Sequence, residues 1–306
     1  MKVLVTGGAG FIGSHLSESL LSLGHTVLIV DNFSTGKKEY IPVGAQFEQI
    51  DIIDKEKLTT VFLNFSPDFV FHLAAQKDVR FSVAEPSFDA QINILASLHL
   101  LELAITNKIK KFVFVSSGGA IYDETDTLPF TEYSKPRPLS PYGLAKYTID
   151  LYLDLFKNLR GLPYASFRLA NVYGPRQDPL GEAGVVAVFF NKLLTHNSVR
   201  LNGGGMQTRD FVYVKDVVSA LILGLDPKAT GIYNVGTSIE TSIKKLLEMQ
   251  QYVCNENVDI EIMPALPGEV MRNALSYSRL NKELHWQPVY DLAQGLLETK
   301  RWCEKL

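Results

Sequence analysis

The sequence predicts an α/β protein: a doubly wound parallel sheet accompanied by a smaller α/β lobe drawn from the second half of the chain. Three observations lead there. Short apolar strands alternate with longer amphipathic stretches, and a glycine-rich turn closes the first strand and opens the first helix. After about Asn171 the rhythm shortens as glycine and proline become frequent.

Six strands are expected in the first half, at Lys2–Val5, Thr26–Val30, Gln46–Ile50, Phe69–His72, Phe112–Ser116 and Tyr164–Leu169. Their apolar character suits a parallel sheet covered on both faces. Helices are expected at Phe11–Leu23, Lys55–Asn64, Ser87–Thr106 and Pro141–Leu159, the first stopped by Gly24. The second half offers helices at Val185–Leu194, Val214–Leu225, Ser242–Val253 and Leu292–Glu304, with short strands at Tyr233–Val235 and Asp259–Met263. These would form a lobe over the sheet's C-terminal edge, where open α/β sheets bind ligands. The expected division is residues 1–170 and 171–306, with chain exchanged across a soft boundary.

A chain of 306 residues can bury a large core. Its net charge of −3 argues against general nucleic-acid or membrane-surface binding but leaves room for a local cationic pocket. The short basic run Lys108–Lys111 reads as a solvated surface. Cys254 and Cys303 fit neither a metal-ligand pattern nor a disulfide framework, and the histidines do not cluster at ligand spacing. No metal is therefore expected, and a reducing, cytoplasmic compartment is. The first residues run into a strand without a basic leader, and no apolar run approaches the ~20 residues of a bilayer span.

The turn reads Gly7-Gly8-Ala9-Gly10-Phe11-Ile12-Gly13. Gly7 permits the tight turn, Gly10 removes a side chain that would block a pyrophosphate, and Gly13 allows close helix packing. The N–H groups of Phe11, Ile12 and Gly13 open the helix, where free donors and the macrodipole favour an anion. The next strand ends in Asp31, at the spacing where an acid meets the adenosine ribose. An acid there repels the extra phosphate of NADP and selects NAD. Asp51 and Ile52, after the third strand, suit contact with the adenine amino group.

Of 13 tyrosines only Tyr142 has a lysine four residues on, and Tyr142 and Lys146 share a helix face just after the fifth strand. A lysine ammonium so placed stabilises a tyrosinate, and a nicotinamide cation would add to the effect. Together they are expected to draw the phenol from about 10 toward neutrality, where it serves as a general base. The fifth strand closes on Ser116-Ser117-Gly118-Gly119-Ala120-Ile121-Tyr122. Ser117 is the candidate to polarise a reacting hydroxyl, and Ser116 the candidate to support the cofactor.

Taken in order, these residues resemble the extended short-chain dehydrogenase/reductase family, whose core is a Rossmann domain, and within it the UDP-glucose 4-epimerases. The likeness continues through Asp31-Asn32, His72 to Gln76, Ser140 to Lys146, Arg168 to Gln177, Thr208 to Val214 and Pro267 to Arg272. It implies that Asn32, Leu73, Ala74 and Ala75 line the NAD site, with His72 packed beneath the cofactor. It also implies that Asn93 lies near the substrate, and that Asn171, Arg209 and Arg272 hold a nucleotide diphosphate. Arginine's planar fork suits that task.

The sequence departs from the family in three places. Counted back from Tyr122, the family's catalytic hydroxyl aligns with Gly118 as readily as with Ser117. Asp123 stands where a glycine is usual, and Leu275-Ser276 replaces Ala-Asp. The turn Gly118-Gly119-Ala120 lacks the acidic group by which related 4,6-dehydratases and decarboxylases act, which favours oxidation and re-reduction without elimination. The expected reaction is 4-epimerisation of a UDP-hexose, with the modest Asn273 admitting an N-acetyl group. Another sugar-nucleotide enzyme of the same fold, or a non-catalytic NAD-binding partner protein, remains the alternative. Excess apolar surface on 87–106 and 141–159 suits a homodimer interface, which the family resemblance also implies.

Overall fold

The computed structural model describes residues 1–122, 126–179, 184–265 and 270–305. Asp123 and Pro267-Gly268-Glu269 lie outside the described residues. In chain order the elements begin β1 (Lys2–Thr6), α1 (Phe11–Ser22), β2 (Thr26–Asp31), β3 (Gln46–Gln49), α2 (Lys55–Phe65) and β4 (Phe69–His72). Next come α3 (Val79–Ala84), α4 (Pro86–Ala90), a π-helical segment at Gln91–Ala96, α5 (Ser97–Thr106), β5 (Lys111–Ser117) and α6 (Gly118–Ile121). They continue as α7 (Pro141–Arg160), β6 (Tyr164–Leu169), β7 (Asn171–Tyr173), α8 (Val185–Leu194), β8 (Val199–Asn202), β9 (Thr208–Arg209), β10 (Phe211–Tyr213) and α9 (Val214–Ile222). Last are β11 (Gly231–Val235), β12 (Thr241–Ser242), α10 (Ile243–Cys254), β13 (Ile260–Met263), α11 (Ser278–Leu284) and α12 (Leu292–Cys303).

The chain forms two compact units. One comprises Met1–Ile121, Pro136–Arg168 and Val218–Tyr233; the other comprises Tyr122–Lys135, Leu169–Val217 and Asn234–Leu306. The first is built on a seven-stranded sheet of order β11-β6-β5-β4-β1-β2-β3. The β1–β2, β2–β3, β1–β4 and β4–β5 pairs are parallel. Thr6 of β1 stands opposite Val30 on one side and His72 on the other, so the C-terminal ends of three strands finish level. The chain leaves β1 toward β2 and returns on its other side at β4, which makes β1/β4 the switch point where such sheets take ligands. The strand expected at Tyr233–Val235 belongs to this sheet rather than to a separate lobe: it covers β6, which would otherwise be an open edge.

Local sequence explains the helix ends. The Ser140 hydroxyl caps α7 by accepting from Gly143 N at 3.1 Å, Pro141 occupies the first turn, and Gly161 at φ 68° ends the helix. Asp54 caps α2 in the same way, and Asp291 with Gln294 forms a capping box on α12. Leu4, Val70, Phe62, Leu100, Phe112 and Ile149 share one buried core that packs sheet against helices.

The run Ser87–Thr106, expected as one helix, lies within Pro86–Thr106, which contains the π-helical turn at Gln91–Ala96. By length and composition alone this run could cross a membrane. Yet Ala96, Leu100, Leu101 and Ala104 are packed into the core of the first unit, as in the core helix of a globular fold. In the second unit β7 pairs parallel with β10, β8 with β13, and β9 runs antiparallel to β12. Helices α8, α10 and α12 pack together around Val186, Phe190, Leu246 and Leu296.

Candidate active site

In the first unit the glycine turn sits at the switch point. Gly7 adopts φ 69° and its N–H bonds Val30 O at 2.8 Å, tying the turn to β2. A Cβ on Gly7 would come within 2.7 Å of Ala74 N, so the β1 turn and the segment after β4 touch through backbone. A Cβ on Gly13 would collide with the Gly7 carbonyl oxygen; this glycine lets α1 close on the turn itself. A Cβ on Gly10 would meet only Gly7 O, at 3.2 Å. Gly10 is also the N-cap of α1 and offers no side-chain cap, so the first-turn amides face outward as an anion cradle. These features fit a dinucleotide.

Asp31 ends β2 with its carboxylate buried, accepting from Ala9 N at 3.0 Å and Phe33 N at 2.8 Å. Burial raises its pKa and these two amides pull it back down. Its first structural task is to brace the glycine turn. Asn32 Nδ2 donates to Asp51 Oδ2 at 2.7 Å, joining two residues expected at the adenosine end, and Ile52 is buried beside them.

His72 is fully engaged in the interior. Ala74 N–H donates to Thr6 Oγ1, Thr6 Oγ1 stands 2.7 Å from Nδ1, and Nε2 stands 2.8 Å from Ser97 Oγ. Ser97 Oγ in turn donates to Asn93 O at 2.8 Å, which directs the chain and makes Nε2 the protonated nitrogen. Burial, with the Lys146 charge adding, pushes His72 down to about 3, so it stays neutral. It is a structural strut, with no free nitrogen for chemistry.

The resemblance implied a substrate contact for Asn93. In the structure its side chain is buried and committed: Oδ1 accepts from Gln76 N, while Nδ2 donates to Gln76 O and Asp89 Oδ1. Asn93 clamps the segment after β4.

Tyr142 begins α7, partly exposed, with Lys146 one turn on and buried. The Ser117 side chain lies near enough to the phenol to lower its pKa. Lys146 Nζ donates to Val115 O at 2.9 Å and lies 4.7 Å from the Phe114 ring centroid and 5.9 Å from that of Tyr142. Ser116 donates instead to Asp150 Oδ2 at 3.1 Å, in the interior. Ser117 thus stands on the tyrosine's side, while Ser116 faces a buried carboxylate.

The expected fall of the Tyr142 pKa is not what the protein produces by itself. Burial pushes the phenol up to about 12; Ser117 lowers it and the Asp89 charge adds to the rise. Lys146 is pushed down to about 8 by burial, against the charges of Asp150 and Asp89. Desolvation dominates here, and Lys146 Nζ spends its hydrogen bond on the Val115 carbonyl.

Three contributors escaped the sequence reading. Asp150, one turn beyond Lys146, accepts from Arg168 Nε at 2.8 Å as well as from Ser116 and Ser166. Its signal was a carboxylate four residues after Lys146 in an otherwise apolar stretch. Gly143 is required because a Cβ there would strike Ala120 O, so α7 closes directly on the turn that follows Ser117. Ser82 accepts from Tyr142 N at 3.2 Å, docking α3 on the start of α7.

In the second unit the expected diphosphate residues gather around Asp210. Its buried carboxylate accepts from Thr237 N, Ser238 N and Leu275 N, while Asn171 N bonds Asp210 O at 2.9 Å. Burial pushes Asp210 up to about 6 in spite of those donors. Thr208 N bonds Met271 O, which sets Arg209 and Arg272 on adjoining backbone, and Asn273 is buried next to them. Arg209 Nη1 donates to Thr208 O at 2.8 Å. Arg272 Nε donates to Glu240 Oε1 at 3.0 Å and Nη2 donates to Glu240 Oε2, a carboxylate partner that no local pattern announced. The Asn171 side-chain oxygen is buried without a hydrogen-bond partner among the described residues.

A glycine turn at the switch point that fits a dinucleotide, in the same unit as Tyr142 and Lys146 beyond the end of β5, suits an NAD-dependent enzyme. The chain belongs to the NAD dependent epimerase/dehydratase family, whose model matches residues 3–236. It is similar to the UDP-glucose 4-epimerase of the hyperthermophile Thermotoga maritima, solved with UDP-glucose, at 43% identity and a TM-score of 0.98 over 100% of this chain and 99% of that one. The UDP-glucose 4-epimerase of Thermus thermophilus, solved with NAD, shares 40% identity at a TM-score of 0.95 over 99% of both chains. A UDP-glucose 4-epimerase of Mycolicibacterium smegmatis is 39% identical over 98% of this chain and 97% of its own. The protein is an epimerase enzyme of this family that acts on sugar nucleotides, with NAD as its cofactor.

Proposed function

We propose that the protein interconverts the C4 epimers of a UDP-hexose by reversible oxidation at sugar C4. The observation that carries this reading is the Tyr142 phenol with the buried Lys146 ammonium on the same helix face, 5.9 Å from the phenol ring centroid, and Ser117, at the end of β5, near enough to shift the phenol's pKa. NAD, when bound, supplies the two-electron acceptor and donor. Gly7, Gly10, Phe11, Ile12 and Gly13 would cradle its pyrophosphate, Asp31, Asn32, Asp51 and Ile52 its adenosine end, and Leu73, Ala74 and Ala75 its inner edge. Ser116, through Asp150, would steady the floor of that site.

Tyr142 takes the proton of the C4 hydroxyl and returns it, while Ser117 holds that oxygen in line and Lys146 stabilises the phenolate. Burial in the protein alone holds the phenol up at about 12, and a positive charge on a bound oxidised cofactor would favour its ionisation. The 4-keto sugar stays tethered through its diphosphate to Asn171, Arg209 and Arg272, and turns its other face to the same groups. The unpartnered Asn171 oxygen offers a ligand an acceptor. Arg272 must share its guanidinium between Glu240 and the diphosphate. Asn273, small and buried, leaves room for an N-acetyl group.

Leu144, Leu151, Leu155 and Leu159 form an exposed stripe at helical spacing along α7, and Phe88 and Leu95 are exposed on the preceding helical run; a second copy would cover them. Both cysteines are free, in keeping with a reducing cytoplasm. Incubation with UDP-glucose and with UDP-N-acetylglucosamine, followed by separation of the C4 epimers, tests the function. Conversion of neither, or full activity in Tyr142→Phe, would overturn it.

A further inference from the structure

We propose that Asp89 is a positioning residue, a buried counter-charge that keeps the Lys146 ammonium anchored beside Tyr142. Asp89 lies on α4, which packs against α7 together with the π-helical segment. It is 1% exposed. Its Oδ1 is shared by Gln76 Nε2 and Asn93 Nδ2, each at 2.9 Å. Its Oδ2 is buried with no hydrogen-bond partner among the described residues. A carboxylate oxygen sealed from water and left without a donor is strongly unfavourable unless a positive charge stands within reach. The buried cation on the facing helix is Lys146.

The other charged groups around the pair leave this role to Asp89. Asp150, on α7 itself, is already matched by Arg168 of β6, with Ser116 and Ser166 completing its shell. His72 of β4 is neutral. Arg80, which α3 brings toward α7, is exposed, and the described residues of α6 carry no charge. Asp89 interacts electrostatically with both Lys146 and Tyr142, favouring the ammonium and opposing the phenolate. The clamp of Gln76 and Asn93 fixes where that charge sits, and the π-helical turn sets Asn93 at the right height to hold it.

The proposal rests on the epimerase reading for the importance of Lys146, but its test needs no substrate. In protein carrying isotope-labelled lysine, the Cε resonance of Lys146, identified by its loss in K146R, is followed by NMR against pH. In D89N the charge is gone and the shape kept, and Lys146 should titrate at least about half a unit lower than in the parent. Q76L, which removes a clamp bond and keeps the charge, should leave the titration within about 0.2 units. D89S gives the same reading as D89N should the amide fail to fold. An unmoved or raised Lys146 titration in D89N, or an equal shift in Q76L, overturns the proposal whether or not the protein epimerises any sugar. With substrate, D89N should lower kcat several-fold with KM little changed.

Discussion

Removing Asp150 tests whether the interior behind Tyr142 and Lys146 is held by charge or by packing. Its side chain is 0% exposed and that of Arg168 3%, the two joined at 2.8 Å, with Ser116 and Ser166 also donating to the carboxylate. Asp150→Leu deprives the buried guanidinium of its carboxylate and both serines of their acceptor. Breaking one side of such a pair costs about 3–5 kcal/mol, because the remaining charge stays buried while its attraction is lost. For a protein of this size that is a fall in melting temperature of roughly 6–20 °C. The double variant Asp150→Leu with Arg168→Leu should recover most of the loss, since two apolar groups need no compensation. Thermal unfolding followed by circular dichroism reads all three proteins. A single variant melting within about 2 °C of the parent would show that the pair contributes nothing net, and the account of Ser116 would fall with it.

Tyr142→Phe should leave folding intact and lower the epimerisation rate by about 10²–10⁴-fold, the usual worth of a positioned acid–base group, as measured by coupled or chromatographic assay. Gly10→Ala should melt like the parent but bind NAD weakly in a calorimetric titration, whereas Gly13→Ala, whose Cβ strikes Gly7 O, should lose about 1–3 kcal/mol of stability. Glutamate at Leu151 and Leu155 should convert a dimer into a monomer by sedimentation; a parent already monomeric would refute that interface. His72, held near 3 when folded but near 6.5 when unfolded, takes its proton first in the unfolded chain. Stability should therefore fall as pH drops through that window, by about 2 kcal/mol from pH 6.5 to 5, and urea unfolding of H72L should show a flatter pH dependence.

Much of the first unit was legible because its signals are local. Alternating apolar runs mark β1 to β6, Gly24 stops the first helix, and the glycine turn and the Tyr142–Lys146 spacing are contiguous patterns. What escaped depends on partners far away in sequence. Nothing near Asn93 announces that Gln76 and Asp89 will consume its amide, and nothing near Arg272 announces Glu240. Nothing near Ser116 announces its partner Asp150, 34 residues further on. The phenol's rise in the protein alone was not legible for a related reason: sequence supplies charges, but burial belongs to the tertiary fold.

The interleaving of the two units bears on how the chain can be made. The first unit is not finished by its opening 168 residues; it also takes Val218–Tyr233, including most of the strand that seals β6. A ribosome must deliver those residues before the sheet's outer edge is closed, so the nascent chain spends much of its synthesis with an unpaired strand exposed. A fragment cut after Arg168 would keep the nucleotide turn and the Tyr142–Lys146 pair, yet leave β6 open to self-association. Circular permutation inside an exposed loop, which preserves every segment, should be far better tolerated than truncation.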